Sequence, residues 1–532
     1  MRTARHITTL LARMLPALAA TLGAQQPERA VFLVRLGHDT LAVENASIES
    51  GRAEGDLRYR TPLIRVHRVV TLSPAFELQT LDVVTGLGAR GDSAMTHSLL
   101  TVHADSGEIR MDLPGSSATP QTRRVGVPQG SVPFNNLSGL TLELVLRRAR
   151  ASGGDTVMVP LLLGPGQSVP VRVTRLGADS AVLAIGTVDI RARTDAAGRF
   201  LGAVIPTQNA YFERLPGDSR VARWTPVVMN YDAPPGAPYT AQDVSVHTPA
   251  GITLAGTLTI PSHRAGDRLP AVVLITGSGA QDRDEGIPSY SKDYRPFREI
   301  ADTLSRRGIT VLRLDDRGVG GSSLGPPTAT SADFADDIRA ALVWLRARED
   351  IDPARLGLVG HSEGGMIAPM IGMTDSALHA LVLIAGPART GRAIVSFQRR
   401  YHIDHDPSIL PQTRDSVFAA AEKASEVEYT VPGWGNFFVN YDPLIAARRV
   451  RAPTLILQGE TDTQITPEQA GMLAAAMRAG GNRQVTVRTF PRMDHLLLDD
   501  ASGDFNGYGK LPSYAVRRDF LGALADWLVS KL

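Results

Sequence analysis

One serine of this chain stands in a context that could make it a nucleophile. The segment Gly360-His361-Ser362-Glu363-Gly364 follows the apolar run 356–359 and opens a predicted helix. A G-x-S-x-G pattern between a strand and a helix forces a sharp turn, which holds the serine oxygen above the sheet. The alternative is a glycine-rich turn with a surface serine. The strand-to-helix context favours the first interpretation and predicts that Ser362 is the nucleophile of an acyl-transfer reaction.

A serine nucleophile needs a base, and the base needs a carboxylate that orients it. His495 follows the predicted strand 484–490, and Asp462 follows the preceding predicted strand 454–458. Each lies on a loop after one of two successive strands, which brings a base and an acid to the same edge of a sheet. We therefore expect His495 to be the base and Asp462 to be the acid.

Two other carboxylates compete with Asp462 for the role of the acid. Glu460 lies nearer the end of the predicted strand, and Asp494 is adjacent to His495. The side chain of Asp494 is expected to point away from the imidazole because neighbouring residues project in different directions. His361, inside the predicted turn, is interpreted as a packing residue or as a contact behind the reacting groups.

The oxyanion that forms during acyl transfer needs hydrogen-bond donors. One is expected to be the backbone N–H of Glu363, directly after the nucleophile at the start of a helix. The other is expected in loop 276–279, where we assign the backbone N–H of Ser278, with that of Gly279 as the alternative. The glycines of this loop allow the backbone to approach a substrate carbonyl closely.

Strands and helices alternate through the part of the chain that carries these residues. The predicted strands are 243–247, 252–260, 271–276, 310–315, 355–359, 380–385, 454–458 and 484–490. The predicted helices are 294–307, 331–348, 364–373, 467–478 and 514–532. This alternation indicates a mainly parallel sheet covered on both faces by helices. Residues from about 387 to 451 interrupt it and are predicted to form a helical cap.

The predicted cap contains an aromatic cluster and a group of possible metal ligands. Trp434, Phe437 and Phe438 could line an acyl pocket above the nucleophile, although half of the cluster is expected to pack the cap on the core. Residues 402–406 include two histidines and two aspartates, but this alternation in a polar helix is more typical of a solvated face. We therefore expect no metal ion and no organic cofactor.

The N-terminal part of the chain has a different character. Residues 1–24 combine a basic start, an apolar stretch and a small-residue cleavage site before Gln25, which is typical of an export signal. The alternative is an ordinary N-terminal helix. Residues 25–231 alternate with period two between Gly/Asp turns and are predicted to form a β-rich domain. Residues 232–238 read as a proline-rich linker, which leaves 239–532 as the catalytic domain of an exported, periplasmic or secreted protein.

The composition excludes several functional classes. The 532 residues include 56 basic and 54 acidic side chains, and a net charge of +2 argues against nucleic-acid binding. The chain has no cysteine, which excludes disulfides, thiolate metal sites and a cysteine nucleophile. After the N-terminal stretch, no segment has the roughly 18 uninterrupted apolar residues of a membrane helix.

Residues from about 240 to 532 resemble the α/β-hydrolase superfamily. The motifs that carry the resemblance are TGSGAQDRD (276–284), DDRGVGGS (315–322), GHSEGG (360–365), NYDP (440–443), QGETD (458–462) and MDH (493–495). The segment is particularly similar to the esterase branch near bacterial carboxylesterases of the EstD type, dienelactone-hydrolase-like proteins and acyl-CoA thioesterase C-terminal domains. Similar sequences include prolyl-oligopeptidase-like peptidases, but the N-terminal region has no internal repeat at β-propeller spacing. Thr276 stands where relatives often have His.

The resemblance implies an α/β-hydrolase fold, with a mostly parallel eight-stranded sheet and a helical cap, preceded by the β-rich domain. It also implies a serine hydrolase that cleaves carboxylic esters of short to medium acyl chains through an acyl-enzyme intermediate. The expected partner is a small-molecule ester. Two alternatives stay open, namely a serine exopeptidase using the same three residues and a hydrolase-fold binding protein without activity.

Overall fold

The structure is a computed structural model that describes most of the chain after the predicted export signal. It covers residues 27–532 with gaps at 37–38, 61–63, 88–92, 113–119, 165, 186–187, 207–209, 226–228, 288–289, 327, 407–408 and 431. The predicted signal, residues 1–24, lies outside the described residues. Within the described part of the chain, no helix is both long enough and apolar enough to cross a membrane.

Fifteen strands form one sheet in the described N-terminal residues. They are β1 (Glu28–Leu36), β2 (Asp39–Glu49), β3 (Arg52–Tyr59), β4 (Ile64–Leu72), β5 (Leu78–Leu87), β6 (Ser93–His103), β7 (Ser106–Asp112), β8 (Gln121–Gly126), β9 (Val132–Pro133), β10 (Thr156–Gly164), β11 (Gln167–Arg175), β12 (Ser180–Ile185), β13 (Val188–Thr194), β14 (Phe200–Ile205) and β15 (Ala210–Pro216). Sequential strands pair antiparallel from β1 to β8 and from β10 to β15, and β15 pairs with β1 to join the two runs. The predicted β-rich N-terminal region is confirmed.

A single helix, α1 (Gly139–Ser152), packs on this sheet among the described N-terminal residues. Its first turn is held by Glu44 of β2, whose carboxylate accepts hydrogen bonds from Ser138 Oγ and from the backbone N–H of Leu140. Arg68 of β4 lies 3.0 Å from the same carboxylate. Both charged side chains are almost fully buried, so each neutralises a charge that would otherwise be costly inside the protein.

The C-terminal part contains the second sheet and the remaining helices of the described residues. Its strands are β16 (Tyr239–His247), β17 (Thr253–Pro261), β18 (Leu269–Ile275), β19 (Thr310–Leu314), β20 (Ile351–His361), β21 (Ala380–Ile384), β22 (Thr454–Gly459) and β23 (Val485–Phe490). Its helices are α2 (Pro296–Ser305), α3 (Ser331–Arg346), α4 (Glu363–Gly372), α5 (Gly391–His405), α6 (Arg414–Glu428), α7 (Trp434–Asn440), α8 (Pro443–Ala447), α9 (Glu468–Ala479) and α10 (Arg518–Lys531).

The strand order is β16-β17-β19-β18-β20-β21-β22-β23, with every neighbouring pair from β19 to β23 parallel and the first two pairs antiparallel. The predicted mostly parallel, eight-stranded sheet is therefore confirmed. Alternate residues of β18 pack in different hydrophobic cores. Val273 lies in the core that includes residues of α3, α4 and α9, and Val272 lies in the core that includes residues of α2 and α10. Helices α5 to α8 lie between β21 and β22, in the segment predicted to be a cap.

The chain just before the predicted linker is attached to the C-terminal domain. The Arg283 guanidinium lies 4.3 Å from the centre of the Tyr231 ring, and Arg298 Nη1 donates a 2.8 Å hydrogen bond to the carbonyl of Asn230. A cation over an aromatic face contributes roughly 0.5–2 kcal/mol, depending on desolvation. The residues directly before the proline-rich segment therefore pack on the C-terminal part of the chain.

Candidate active site

Ser362 occupies a strained turn between β20 and α4. Its backbone has φ +52° and ψ −117°, which in a non-glycine residue costs on the order of 1–3 kcal/mol. The flanking glycines make the turn possible. A methyl group on Gly360 would lie 2.1 Å from the carbonyl oxygen of Gly364, and one on Gly364 would lie 2.1 Å from that of Ile275. Larger residues at either position would push the turn off the sheet.

A continuous hydrogen-bond path joins Ser362 to a buried carboxylate. His495 Nε2 lies 3.1 Å from Ser362 Oγ, and His495 Nδ1 lies 2.9 Å from Asp462 Oδ2. Asp462 and His495 are 2% and 5% exposed, so bulk water does not compete for these bonds. Because a carboxylate accepts, it places the imidazole proton on Nδ1 and leaves Nε2 free to receive the serine proton. The structure thus brings together the three residues expected to react.

Four hydrogen bonds fix the orientation of the Asp462 carboxylate. Oδ1 accepts from the backbone N–H groups of Gln464 and Ile465, each at 2.9 Å. Oδ2 accepts from Gln458 Nε2 at 3.0 Å in addition to His495. These four donors hold the carboxylate in one orientation.

The rival acids do not face the imidazole. Glu460 is exposed and accepts a 2.7 Å hydrogen bond from Thr489 Oγ1. Asp494 Oδ1 accepts from the backbone N–H of Leu498 at 2.9 Å. Burial raises the pKa of Asp494 to about 7. In the described structure, Asp462 is the carboxylate that hydrogen-bonds the imidazole of His495.

The loop expected to supply the second oxyanion donor passes beside the serine. A methyl group on Gly277 would lie 3.2 Å from Ser362 Cβ, so a larger residue here would force the loop or the serine to shift by a few tenths of an ångström. Ser278, the predicted donor, and Gly279, the alternative, follow on the exposed side of the loop. Glu363 is the first residue of α4, whose first-turn N–H groups have no partner within the helix. The predicted donors therefore belong to segments that flank Ser362.

The side chain of Glu363 is buried and already hydrogen-bonded. Ser331 Oγ donates to Oε1 at 2.6 Å, and Trp434 Nε1 donates to the same oxygen at 2.8 Å. Glu363 is 3% exposed, whereas Trp434 is 36% exposed. Trp434 therefore connects the cap to the residue that follows the nucleophile.

The other two aromatic residues predicted to line a pocket have packing contacts. Phe438 is buried in the main core cluster, and a methyl group on Gly391 would overlap its ring. Its ring stacks on Trp434 with centroids 5.0 Å apart. Phe437 stacks on Tyr441 at 5.3 Å and packs against the same core cluster. Of the three, Trp434 is the one that the structure places in contact with a residue next to Ser362.

A small cavity lies between the loop after β18 and the N-termini of α3 and α4. It has a volume of about 50 Å³ and is lined by Gly277, Asp316, Phe334 and Glu363, among others. A volume of that size holds a few water molecules, each of which needs roughly 10–15 Å³ by this measure. Asp316 accepts from Thr276 Oγ1 at 2.9 Å, and burial raises its pKa to about 8.

The sequence did not reveal the partners of His361. Its Nδ1 lies 2.9 Å from Glu285 Oε1 and its Nε2 lies 2.9 Å from the carbonyl oxygen of His495. Glu285 carried no motif and lies in a loop with a positive φ of 54°. Only its position after β18, in the segment TGSGAQDRDE, could have pointed to it.

The possible metal ligands in the cap do not converge. His402 Nδ1 lies 2.8 Å from Asn506 Oδ1, and Asp404 accepts a 2.8 Å hydrogen bond from Arg400 Nε. Across the described ranges, no group of three His, Cys, Asp or Glu side chains is placed to hold a metal ion.

Residues 272–507 match the sequence profile described as the alpha/beta hydrolase family. Esterase EstD of Thermotoga maritima is 27% identical over 288 residues, which cover 52% of this chain and 65% of the relative. A Bacillus subtilis protein named uncharacterized peptidase YuxL is 25% identical over 270 residues, covering 48% of this chain and 35% of the relative. The chain thus spans less than two thirds of the length of each of these relatives.

Among solved structures, the esterase Pf2001 of Pyrococcus furiosus matches with 16% identity and a TM-score of 0.39, covering 57% of this chain and 98% of the other. The family match lies within the eight-stranded domain and includes all three residues of the Ser362–His495–Asp462 path. Together with the sheet topology, it confirms the resemblance and the predicted fold.

Proposed function

We propose that this chain, whose C-terminal domain is an α/β-hydrolase, hydrolyses carboxylic esters of short to medium acyl chains with Ser362 as the nucleophile. The observation that carries the proposal is the hydrogen-bond path from Asp462 through His495 to Ser362. The similarity to a protein named an esterase supports a hydrolase that acts on esters in general. The path of hydrogen bonds supports a serine mechanism in particular.

The chemistry follows from this path in two halves. Ser362 Oγ attacks the ester carbonyl while His495 Nε2 takes its proton, and Asp462 stabilises the imidazolium that forms. Backbone N–H groups of Glu363 and Ser278, or Gly279 in place of the latter, hold the oxyanion of the tetrahedral intermediate. The intermediate collapses when His495 returns the proton to the departing alcohol. Water then attacks the acyl-enzyme by the same route and releases the acid.

An exopeptidase is the second candidate, favoured by the similarity to a protein named a peptidase. A peptidase that recognises a free α-amine needs a carboxylate that can pair with the ammonium. Glu363 is the acidic residue next to the nucleophile, but its Oε1 accepts from Ser331 and Trp434 and the residue is 3% exposed. An incoming ammonium would have to reach a carboxylate that is already buried and hydrogen-bonded, which favours an ester substrate. The intact path argues against a binding protein without activity.

The discriminating experiment compares nitrophenyl esters of increasing acyl length with aminoacyl nitroanilides on the purified protein. We expect kcat/KM for the best ester to exceed that for the best anilide at least ~100-fold, equivalent to roughly 2.7 kcal/mol of transition-state binding. The Ser362→Ala variant is expected to lose activity by orders of magnitude and to escape labelling by a fluorophosphonate. Comparable values for esters and anilides would refute the ester assignment, and stoichiometric labelling of the variant would place the nucleophile elsewhere.

The other parts of the chain also receive proposed roles. Residues 1–24 direct export, so the enzyme acts in the periplasm or outside the cell. Residues 25–231 form a separate β-rich domain, and 232–238 link it to the catalytic domain at 239–532, with the cap at about 387–451. The substrate is a small-molecule ester, and the mechanism requires no metal and no organic cofactor.

A further inference from the structure

Both nitrogens of the buried His361 ring face hydrogen-bond acceptors. Nε2 lies 2.9 Å from the carbonyl oxygen of His495, and Nδ1 lies 2.9 Å from Glu285 Oε1. A carbonyl oxygen can only accept, so the Nε2 must carry a proton. If Glu285 is ionised, Nδ1 must carry one as well. His361 is 4% exposed, and its ring lies 4.9 Å from the ring of His495.

Glu285 binds a second element of the site through the same oxygen. The backbone N–H of Gly277, in the loop beside Ser362, donates to Glu285 Oε1 at 2.5 Å. The other oxygen, Oε2, is buried and has no hydrogen-bond partner among the described residues. A buried carboxylate in this state is costly unless a cation lies next to it. His361 is the side chain placed to supply that cation.

The charged and titratable groups around His361 come from several elements. Glu285 faces it from the loop after β18, and Asp462 and His495 face it from the loops after β22 and β23. Burial alone lowers the pKa of His361, but Glu285, the His495 carbonyl and Asp462 together raise it above its usual value. Tyr294, which the charge of Glu285 also influences, donates its hydroxyl to the Leu496 carbonyl at 3.0 Å, not to the carboxylate.

We propose that Glu285 and His361 form a buried ion pair that positions two loops around Ser362. These are loop 276–279, which carries the predicted oxyanion donor, and the loop after β23, which carries His495. The ion pair fixes Gly277 through its amide and His495 through its carbonyl, and His361 is covalently next to the nucleophile. Neither residue touches the reacting atoms, so both are positioning residues. The inference rests on the proposed serine mechanism, because the loops matter for that chemistry.

The test compares Glu285→Gln and His361→Gln with a matched control, Glu44→Gln. Glu44 is also a buried carboxylate in an ion pair that accepts a backbone N–H, but it lies in the N-terminal sheet. For each variant, the concentration of active sites is titrated with a fluorophosphonate, and kcat for an ester is expressed per titrated site. KM and the melting temperature are measured alongside. We expect both site variants to lose ~10–100-fold in kcat per titrated site with KM changed less than about 3-fold, since small misplacements of reacting groups cost up to about 10²-fold.

Glu44→Gln is expected to lower the melting temperature without changing kcat per titrated site. The double variant Glu285→Gln/His361→Gln should be no slower than the worse single variant, because the two residues act as one unit. A purely structural role would lower only the titrated fraction and the melting temperature. Unchanged kcat per titrated site in both single variants would overturn the proposal.

A second measurement does not depend on activity or on the stability of the variants. In the wild-type protein with ¹⁵N-labelled histidine, the ring nitrogens of His361 are expected to show the shifts of an imidazolium at pH 7. A neutral ring at pH 7 would overturn the ion pair. If the wild-type protein hydrolyses no ester but Ser362 is labelled, the labelling rate replaces kcat and only the ester assignment fails. If it is not labelled either, the proposed mechanism fails while the nuclear magnetic resonance measurement still decides the ion pair.

Discussion

Replacing Asp462 by asparagine should inactivate the enzyme, although the two side chains have nearly the same size and shape. The carboxylate accepts four hydrogen bonds, two on each oxygen. The new amide has one oxygen that accepts and one NH₂ group that only donates. Since Oδ1 receives the two backbone N–H groups of Gln464 and Ile465, the amide oxygen must occupy that position to keep both bonds.

This orientation points the NH₂ group at His495 and at Gln458. The imidazole then has to accept at Nδ1, which moves its single proton to Nε2, facing Ser362 Oγ. A protonated Nε2 cannot take the serine proton, so the base is lost. Gln458 Nε2, itself a donor, also loses the acceptor that it had on Asp462. The same change in Ser–His–Asp proteases lowers kcat about 10⁴-fold, or roughly 5 kcal/mol of transition-state stabilisation. We expect a loss of that order here.

The assay is kcat for a nitrophenyl ester near neutral pH, with circular dichroism and the melting temperature as controls of folding. Glu460→Gln is the matched control, because Glu460 follows the same strand but bonds only Thr489 among the described side chains. We expect it to change kcat less than about 2-fold. An Asp462→Asn enzyme that retains a tenth of the wild-type kcat, or a Glu460→Gln enzyme that loses activity 10³-fold, would refute the assignment of the acid.

Three further predictions concern stability, domain organisation and export. Burial raises the pKa of Asp316 to about 8, above its value of roughly 3.9 in the unfolded chain, so its contribution to stability is complete below pH ~4 and is lost as the pH rises through ~8. Asp316→Asn, which cannot ionise, should therefore show a smaller fall in the free energy of unfolding between pH 6 and pH 9 in urea titrations, and an equal fall would contradict the burial of an ionising group. Limited proteolysis should cut within 234–238, where residues 235 and 236 are exposed, and leave an esterase-active fragment; an inert fragment from an active chain would assign part of the site to the N-terminal domain. Mass spectrometry of exported protein should find Gln25 at the N-terminus, whereas intact Met1 on protein from the soluble cytoplasm of the native host would contradict export.

The three residues of the Asp462–His495–Ser362 path could be predicted because each lies in a local sequence pattern of its own. Ser362 lies between an apolar strand and a glycine-rich helix start. The loops that carry Asp462 and His495 each follow a predicted strand, of which β22 is fully buried and β23 lies at the edge of the sheet. Parallel strands bring their carboxyl ends to one edge, so residues far apart in sequence meet there without any further information. The eight strands were predictable from local patterns as well, because short runs with apolar residues are bounded by turns.

Contacts that depend on side chains crossing between elements were not predictable. The bond from Trp434 to Glu363 requires the orientation of α7 over α4, which no local pattern determines. The pairing of β1 with β15 joins Ala30 to Pro216 across most of the N-terminal domain. Period two predicts that each is a strand, but it does not say which strands are neighbours. Glu285 was missed because its partner His361 lies at the end of another strand, 76 residues away in sequence.

Backbone strain in this protein collects at the edge of the sheet that carries the proposed chemistry. Among the described residues, eight non-glycine residues have a positive φ, and five of them belong to the C-terminal domain: Glu285, Ser362, Ala385, Arg492 and Leu497. Ala385 follows β21, whose last residue accepts the amide of Ser362, and Arg492 and Leu497 flank the base. Each such conformation costs on the order of 1–3 kcal/mol and persists only where surrounding bonds over-determine it. Here those bonds include the Glu285–His361 contact and the four donors on Asp462. The same network that holds the proposed reacting groups in place therefore also keeps the strained turns from relaxing. Losing one of its bonds should raise the activation free energy of the reaction by more than it lowers the free energy of unfolding.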